Sequence, residues 1–490
     1  MAWHIFRKDW RLMWPLAVGT AVLQAWILIL TTHSTPLPLP EATSMFASIV
    51  TLVLAIAMTL LIVLSIQQES IPSISQDWLT RPVERGDLLL GKLLTIALLI
   101  HGPIFAVNIL QGLMEGFSLG PVLLAALHSN FEIALCYSLP VMVIAATTRG
   151  VVEAIVFGLI VLVITLCAGV ARPTASGTGL VWIWRSFAHA ELLLLTIVAL
   201  GWQYLKRSRD GTRQAQSLFL VGVLLSAWTP LLPWGPAFAI QRGLAATPGA
   251  SRPIAIAVER GNAEPARWIL GDATQVPPNK GFERVIVPLR FSGVPGDVIV
   301  HVDRAKIRLV SGDGTLLFSG QVPTFDLTAH GARTVQQAFD LSSAFYAQHR
   351  GQSLRLELNY FGSLMRGKTV PTPVPLNDVL RVPEFGWCAT RGDTTVELSC
   401  RQIGALPFCI SLAVGQMPEK FVCELNYEPV PLRFSVDPID HVKATLPRPG
   451  AGDTGVTIRV YEPVDYFSRQ VAIADFRLQD WAMPAGSGKP

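Results

Sequence analysis

The sequence predicts an α-helical polytopic membrane domain of about seven spans, followed by a mostly β extracytoplasmic region of one or two β-sandwich modules. Three observations predict this fold class: uneven charge, long apolar runs, and a later alternation with period two. Of the 490 residues, the first 240 carry 24 charged side chains and the remaining 250 carry 50. The net charge of +4 is small. This composition excludes a soluble single-domain enzyme, a disordered chain and a nucleic-acid binder with a strong basic field.

Seven apolar runs precede residue 240. Crossing the hydrocarbon core takes about 20 residues, and most of the runs have that length. The first follows positive charges as a secretory signal would, but six more runs come after it, so we expect an uncleaved helix. The runs are Trp14–Leu30, Phe46–Ile66, Leu88–Leu113, Pro121–Ala146, Val151–Val170, His189–Leu205 and Ser217–Trp234.

The first 14 residues form a pattern of their own. Trp3, Phe6 and Trp10 recur at spacings of three and four, with positive residues between them. This pattern predicts an amphipathic helix lying on membrane lipid at the inner leaflet, ahead of a transmembrane domain over 15–235. The alternative is a plain charged flank to the first span.

Positive charge fixes the expected orientation, because short cytoplasmic loops are enriched in Lys and Arg. With the N-terminus inside, eleven positive residues fall on the cytoplasmic side and only Arg172 and Arg185 on the other. Everything after Trp234 is then extracytoplasmic. The eleven are Arg7, Lys8, Arg11, Arg81, Arg85, Lys92, Arg149, Lys206, Arg207, Arg209 and Arg213.

The second half alternates as half-buried strands do. Val285, Val287, Leu289 and Phe291 are one example, and a Ser311–Gly314 turn separates two further strands. A proline-rich break divides the region, so we expect a linker at 236–252, a first sandwich at 253–370 and a second at 377–484. One large module is the alternative.

Four of the six cysteines lie in the second module. An even, local set in an oxidising compartment predicts two disulfides, with three possible pairings. The close Cys pairs typical of a zinc site are absent, so no metal is expected. The four are Cys388, Cys400, Cys409 and Cys423.

Two ionisable residues lie four apart in the fourth apolar run. His128 and Glu132 share a helix face and form a candidate intramembrane polar patch near a substrate path. Counting from Thr148 puts Glu132 in the outer part of the bilayer, about 24 Å from the inner boundary. That depth favours the other interpretations, which are a local pair at the interface or a break in the helix at residues 128–130.

No catalytic set is visible, and the chain is not expected to be an enzyme. Residues 362–369 match the phosphate-loop pattern G-x-x-x-x-G-K-[ST]. That loop functions only ahead of a helix, and Pro371, Pro373 and Pro375 prevent one here. We expect no cofactor on this chain.

The most informative segment is the cytoplasmic loop before the third run. Trp78 and Leu79 offer an apolar anchor, and the charged residues around them suit contacts with a protein or with lipid phosphate. Pro82 suits the first turn of a helix. The alternative is a positive flank that only fixes topology. The candidate residues are Asp77, Trp78, Leu79, Thr80, Arg81, Pro82 and Arg85.

The run Asp77-Trp-Leu-Thr-Arg-Pro-Val, with Arg85 and then Asp87-Leu-Leu-Leu-Gly-Lys-Leu-Leu94, resembles the loop between the second and third helices of ABC-2-type transporter permeases. Phe6-Arg-Lys-Asp-Trp10 resembles the start of the same family. The resemblance covers about residues 1–235. It implies that Asp77–Arg85 meets a cytosolic ATP-binding cassette subunit, with Trp78 and Arg81 as leading contacts. It also implies a second permease half, in a homodimer or heterodimer, and Mg-ATP on the partner subunit.

The chain departs from that family in its seventh run and its long outer region. The expected function is the permease subunit of an ATP-driven exporter in a bacterial inner membrane. The alternative is a membrane-anchored extracytoplasmic binding or sensing protein without transport activity. An intramembrane enzyme ranks below both, because no paired catalytic residues are visible.

Overall fold

A computed structural model describes most of the chain. The described residues are 2–32, 41–68, 85–171, 182–206, 209–229, 232–259, 281–322, 325–327, 334–368, 371–382, 386–392, 395–403, 409–414, 420–422, 439–447 and 455–482.

The first half is helical. The first six apolar runs lie within helices, and the seventh begins within one that ends at Trp228. The helices are α1 (Ala2–Thr32), α2 (Glu41–Gln67), α3 (Arg85–Ile96), α4 (Gly102–Met114), α5 (Leu119–Ile133), α6 (Leu139–Thr147), α7 (Val151–Ala171), α8 (Trp182–Lys206), α9 (Arg209–Trp228) and α10 (Trp234–Gly243).

Four helical stretches in the described part of the chain are long and apolar enough to cross a membrane, rather than the seven that the sequence predicts. They are Ile49–Gln67, Gly86–Met114, Leu119–Thr147 and Trp182–Lys206. Helix α9 opens on Arg209, Asp210 and Arg213, which shortens its uncharged part.

Helix α1 differs from the predicted division at residue 14. It runs from Ala2 to Thr32 without a break and contains Pro15 in its interior. The predicted interfacial segment is therefore the first part of a longer helix. A proline is tolerated inside a membrane helix because neighbouring helices and side chains can satisfy the backbone group that it leaves exposed.

Two turns of π-helix interrupt the second and third long stretches. Ala97–His101 joins α3 to α4, and Ala134–Ser138 joins α5 to α6. A π-turn inserts an extra residue into the helix and often occurs at a functional site. Here each one changes which side chains the following helix directs into the bundle.

In its described residues, the second half forms three sheets and one short helix, α11 (Ser343–His349). The strands are β1 (Ala255–Val258), β2 (Phe282–Ser292), β3 (Val298–Ser311), β4 (Leu316–Val322), β5 (Phe325–Leu327), β6 (Thr334–Ser342), β7 (Leu354–Gly367), β8 (Thr372–Pro375), β9 (Val379–Val382), β10 (Gly386–Arg391), β11 (Thr395–Ile403), β12 (Cys409–Val414), β13 (Lys420–Val422), β14 (Ile439–Pro447) and β15 (Gly455–Phe476).

One long sheet joins two hydrophobic cores. Its order is β13-β12-β15-β7-β3-β4. The three-stranded sheet β1-β2-β6 covers one end of it around Phe291, Leu358 and Phe476. The four-stranded sheet β14-β11-β10-β9 covers the other end around Leu398 and Ile458.

Strand β15 belongs to both cores, which differs from the predicted division at 370–377. Its first part, with Val456 and Ile458, packs in the second core, and its last part, with Val471 and Ile473, packs in the first. A register shift between Pro463 and Asp465 lies between the two parts. Such bulges bend a strand and allow it to leave one packing layer for another.

Candidate functional site

The predicted partner-contacting loop lies mostly outside the described residues. Asp77, Trp78, Leu79, Thr80, Arg81 and Pro82 all belong to that undescribed stretch. Arg85 is the first residue of α3, which directly follows the loop in the chain. Helix α3 is therefore the described element that directly follows the predicted docking loop.

Helix α3 is fixed to α1 by a buried ion pair. Lys92 Nζ lies 2.7 Å from Asp9 Oδ2 and donates a hydrogen bond to it. The two side chains are 1% and 0% exposed. Charges this deeply buried persist only when they are paired with good geometry, so the contact fixes the relative position of the two helices.

Sequence reasoning missed this pair, because it treated Lys92 only as one of the positive residues that set orientation. A signal was nevertheless present. Asp9, Met13, Ala17, Thr20 and Gln24 follow a helical spacing, and all five are buried. Three polar side chains on one buried helix stripe indicate contacts with neighbouring helices rather than with lipid.

A second polar cluster lies in the middle of the helical bundle, where the two π-turns meet. His101 and Ser138 are the last residues of those turns, and His101 Nε2 lies 3.1 Å from Ser138 Oγ. His101 Nδ1 lies 3.3 Å from Asn130 Oδ1. Nearby, Tyr137 donates to the Ala55 carbonyl and also contacts Thr59. The histidine is thus a hydrogen-bonded group within the bundle.

The predicted patch of His128 and Glu132 is brought together on α5. His128 Nε2 lies 3.7 Å from Glu132 Oε1, and the side chains are 49% and 31% exposed. The pair therefore lies on the outer surface of this helical bundle, unlike His101.

In the part of the chain that the structure describes, the β region is attached to the helices at two places. At the first, the turn after α4 contacts the second core. Arg401 Nη1 lies 3.1 Å from Glu115 Oε1, and both side chains are 8% exposed. Trp387 donates its ring N–H to the Glu115 carbonyl. Burial raises the pKa of Glu115, although the charge and the hydrogen bond of Arg401 oppose that shift.

The second attachment is aromatic. Phe238 of α10 packs against Phe361 and Tyr466, and Trp182 Nε1 donates to Tyr466 Oη at 3.2 Å. The Arg304 guanidinium lies 4.2 Å from the centre of the Trp234 ring. Such a cation–π contact is strongest where water is excluded.

The predicted linker over 236–252 is an ordered junction. Most of α10 lies within it, and the Ser251 amide donates to the Asp465 carboxylate at 2.7 Å. The β region is thus tied directly to the helical bundle, at the Glu115 contact and at this aromatic junction.

One predicted disulfide is present between neighbouring strands. Cys388 and Cys400 are directly opposite each other on β10 and β11 and are bonded. Cys409 is also disulfide-bonded, and Cys423 lies outside the described residues. The structure therefore shows one of the two predicted disulfides, Cys388–Cys400, in the described residues.

Removing this disulfide is expected to destabilise the second core. A Cys388→Ala/Cys400→Ala variant should lose about 2–3 kcal/mol of unfolding free energy. The two cysteines are 12 positions apart, and without the disulfide the loop between them is no longer closed in the unfolded chain. Thermal unfolding of the variant, beside the oxidised wild type and a Cys136→Ala control, measures the loss. A variant as stable as the wild type would contradict this expectation.

The segment that matches a phosphate-loop pattern is part of a strand. Gly362–Gly367 forms the end of β7, which is paired with β3 on one side and β15 on the other. A Cβ at Gly362 would lie 2.4 Å from the His301 carbonyl oxygen, so close backbone packing explains the glycine.

No family model matches this chain, and no curated protein matches it significantly.

Proposed function

We propose that this chain is the membrane permease subunit of an ABC-2-type ATP-driven exporter. In this proposal all seven apolar runs cross a bacterial inner membrane, the N-terminus is cytoplasmic and the β region lies outside. A separate cytosolic subunit binds Mg-ATP and docks on the loop Asp77–Arg85. A second permease half completes the assembly.

The observation that carries the proposal is the Asp9–Lys92 ion pair. The candidate docking loop continues directly into α3, and the pair fixes α3 to α1 inside the bundle. A force applied to the loop would therefore act on two helices together. A membrane anchor needs only positive charge at this position, and it does not need a buried connection behind it.

The work of such a subunit is a change of population rather than bond chemistry. Closure of the ATP-binding dimer would favour one arrangement of the helices if its contacts with the loop differ between arrangements. A coupling free energy of about 1–3 kcal/mol is typical of such linked sites. The β region, tied to α4 and α10, would follow the helices at the exit side.

The alternative function is a membrane-anchored binding or sensing protein. The observation that favours it is the double attachment of the β region, because binding there could be transmitted through Glu115 to α4. The two functions differ in whether the cytoplasmic loop needs a protein partner.

Affinity purification in mild detergent tests the proposal. We expect the wild type to retain an ATP-binding subunit, seen by mass spectrometry, together with ATPase activity. A Trp78→Ala/Arg81→Glu variant should lose both by at least about tenfold, as truncation of central contact residues does.

Arg213→Glu is the matched control. It makes the same charge change at an exposed residue that is also expected to be cytoplasmic, near the start of α9. It should retain the subunit. If the wild type captures no ATP-binding subunit, even after cross-linking in intact membranes, the exporter proposal fails and the sensing function takes its place.

A further inference from the structure

The two π-turns share a sequence pattern as well as a conformation. Ala97 begins the first and Ala134 begins the second, a leucine follows each alanine, and a proline stands six residues after each. These prolines are Pro103 and Pro140, and both lie in the first turn of the helix that follows. The chain therefore uses the same kind of joint twice, once between α3 and α4 and once between α5 and α6.

The prolines explain why each joint resists bending less than ordinary helix does. Proline has no N–H to donate, and its ring clashes with the carbonyl four residues earlier. Those two carbonyls belong to Leu99 and Cys136, which lie inside the π-turns. Each turn has instead a wider bond, from the amide of the residue after it to the carbonyl of the alanine that begins it. Helices bend sharply at prolines and at π-turns, and here the two coincide.

One side chain connects the two joints. His101 Nε2 lies 3.1 Å from Ser138 Oγ, and these are the last residues of the two π-turns. His101 Nδ1 lies 3.3 Å from Asn130 Oδ1, while the Asn130 amide nitrogen donates to the Ala126 carbonyl. A neutral imidazole at this place donates to the asparagine and accepts from the serine. A bend at one joint would break these bonds unless the other joint bent with it.

The helices on one side of the joints are held in place. Helix α3, which follows the candidate docking loop, is tied to α1 by the buried ion pair. At the end of α6, Gln203 of α8 donates to the Ala146 carbonyl at 3.1 Å. Gln216 of α9 donates to the Thr147 carbonyl at 3.0 Å. Carbonyls at a helix end have no partner within the helix, so these two bonds join α6 to its neighbours.

The helices on the other side of the joints form a hairpin, which we call the arm (residues 102–133, α4 and α5). Its two helices are closely packed, because a Cβ at Gly112 would lie 2.7 Å from a methyl carbon of Val122. At the tip of the arm, Glu115 is paired with Arg401 of the β region. The arm therefore connects the two joints to the second β core.

Helix α1 has a proline at the same level. It packs against α3, the first π-turn and α4 in succession, so it runs alongside them. The Asp9–Lys92 pair aligns the two sets of helices. Pro15 comes six residues after that aspartate, and the first π-turn begins five residues after that lysine. At 1.5 Å per residue, Pro15 lies beside the π-turn, so α1 can bend where its neighbour bends.

We propose that the arm pivots as one body on the two π-turns, and that this pivot carries movement between the candidate docking loop and the β region. The held helices lead to the loop, and the tip of the arm leads to the second β core. The two positions of the arm are the discrete states that such hinges provide. The inference goes beyond the exporter proposal, because the same joint would carry a signal inwards from the β region of a sensing protein.

Distances between pairs of spin labels test the pivot in the full-length protein. The labels are placed on introduced cysteines in a Cys136→Ser/Cys167→Ser chain, and the same chain without them sets the background. Exposed residues Leu90 and Leu113 form the pair across the joint, whereas Leu113 and Phe131 form the control pair within the arm. Excess unlabelled chain removes distances between copies. We expect the distance distribution across the joint to be at least about twice as wide as within the arm.

Replacing the prolines should stiffen the joints. Pro103→Ala/Pro140→Ala provides two amides that can bond to the preceding turn, so the distribution across the joint should narrow to the width found within the arm. Pro121→Ala is the matched control, because that proline lies in the first turn of α5, where no bond is missing. Equal widths in the wild type and the double variant, whether narrow or wide, would show that the π-turns form no pivot.

Two variants of His101 test the connection between the joints. His101→Leu removes both hydrogen bonds and should widen the distribution across the joint at least about 1.5-fold, because the joints then bend independently. His101→Gln can still donate and accept, so it should restore most of the wild-type width. An unchanged width in His101→Leu would contradict the connection.

The result is distinguishable from the outcome for transport. A pivot in a protein that captures no ATP-binding subunit would support this inference and refute the exporter. A captured subunit on a protein whose arm is rigid would do the reverse.

Discussion

Replacing Lys92 with methionine is expected to lower the free energy of unfolding by about 3–5 kcal/mol, because the charge of Asp9 stays buried after its cationic partner is removed. Asp9→Asn should cost a comparable amount for the converse reason. The two groups are 83 positions apart in the chain and 2.7 Å apart in the fold. Titration of the purified protein with SDS in mixed micelles unfolds it and measures the loss of unfolding free energy.

The double variant separates charge from packing. Asp9→Leu/Lys92→Met removes both charges, and replacing a buried pair with apolar side chains of similar size is often close to neutral. We expect it to be more stable than either single variant, with strong non-additivity. Arg11→Met is the matched control, since Arg11 is exposed on the same helix and should change stability by no more than about 0.5 kcal/mol. Additive losses at Asp9 and Lys92 would show that the two charges do not depend on each other.

The positions of the helices could be read from the sequence, because burial in a bilayer and burial in a protein both demand apolar residues. The neighbours that each helix faces could not be read from the sequence. The partnership of Asp9 with Lys92 joins distant segments, and hydropathy contains no information about such pairs. The π-turns were also hidden, since Ala97–His101 and Ala134–Ser138 are as apolar as ordinary helix.

In the outer region, too, the positions of strands could be predicted from the sequence, whereas their neighbours in the fold could not. Alternation identified β2 correctly, because Val285, Val287, Leu289 and Phe291 are all buried. The Ser311–Gly314 turn is also confirmed, with Gly314 at a positive φ of 90° and β3 pairing with β4. The passage of strand β15 through both cores was not predicted, because only the folded sheet shows which strands lie beside it.

The candidate docking loop remains a prediction, supported by its resemblance to a family and by the helix to which it leads. The contacts of Glu115 could not have been anticipated. A carboxylate at the end of a span is ordinarily solvated, and only the folded β region brings Arg401 and Trp387 to it.

Replacing Arg401 with methionine should destabilise the attachment of the β region by about 2–4 kcal/mol at neutral pH, because the Glu115 carboxylate then loses its buried cation. Arg366→Met is the matched control. Its partner Asp297 lies at a similar distance of 3.0 Å, but both side chains are exposed, so the loss should stay below about 1 kcal/mol. Thermal unfolding and protease sensitivity of the β region report the difference.

The stability lost in the Arg401→Met variant should depend on pH, and the pKa of Glu115 sets the direction of that dependence. Burial already raises the pKa of Glu115 above its ordinary 4.5, and Arg401 opposes the shift, so Arg401→Met should raise this pKa further. A carboxyl whose pKa is higher in the folded state binds more protons there, so folding gains stability as the pH falls towards 4.5. The Arg401→Met protein should therefore approach the wild type at acid pH, and adding Glu115→Gln should abolish that recovery. A gap that stays constant from neutral to acid pH would mean that Arg401 acts through packing rather than through charge. In that case the turn after α4 would be attached to the β region mainly by Trp387.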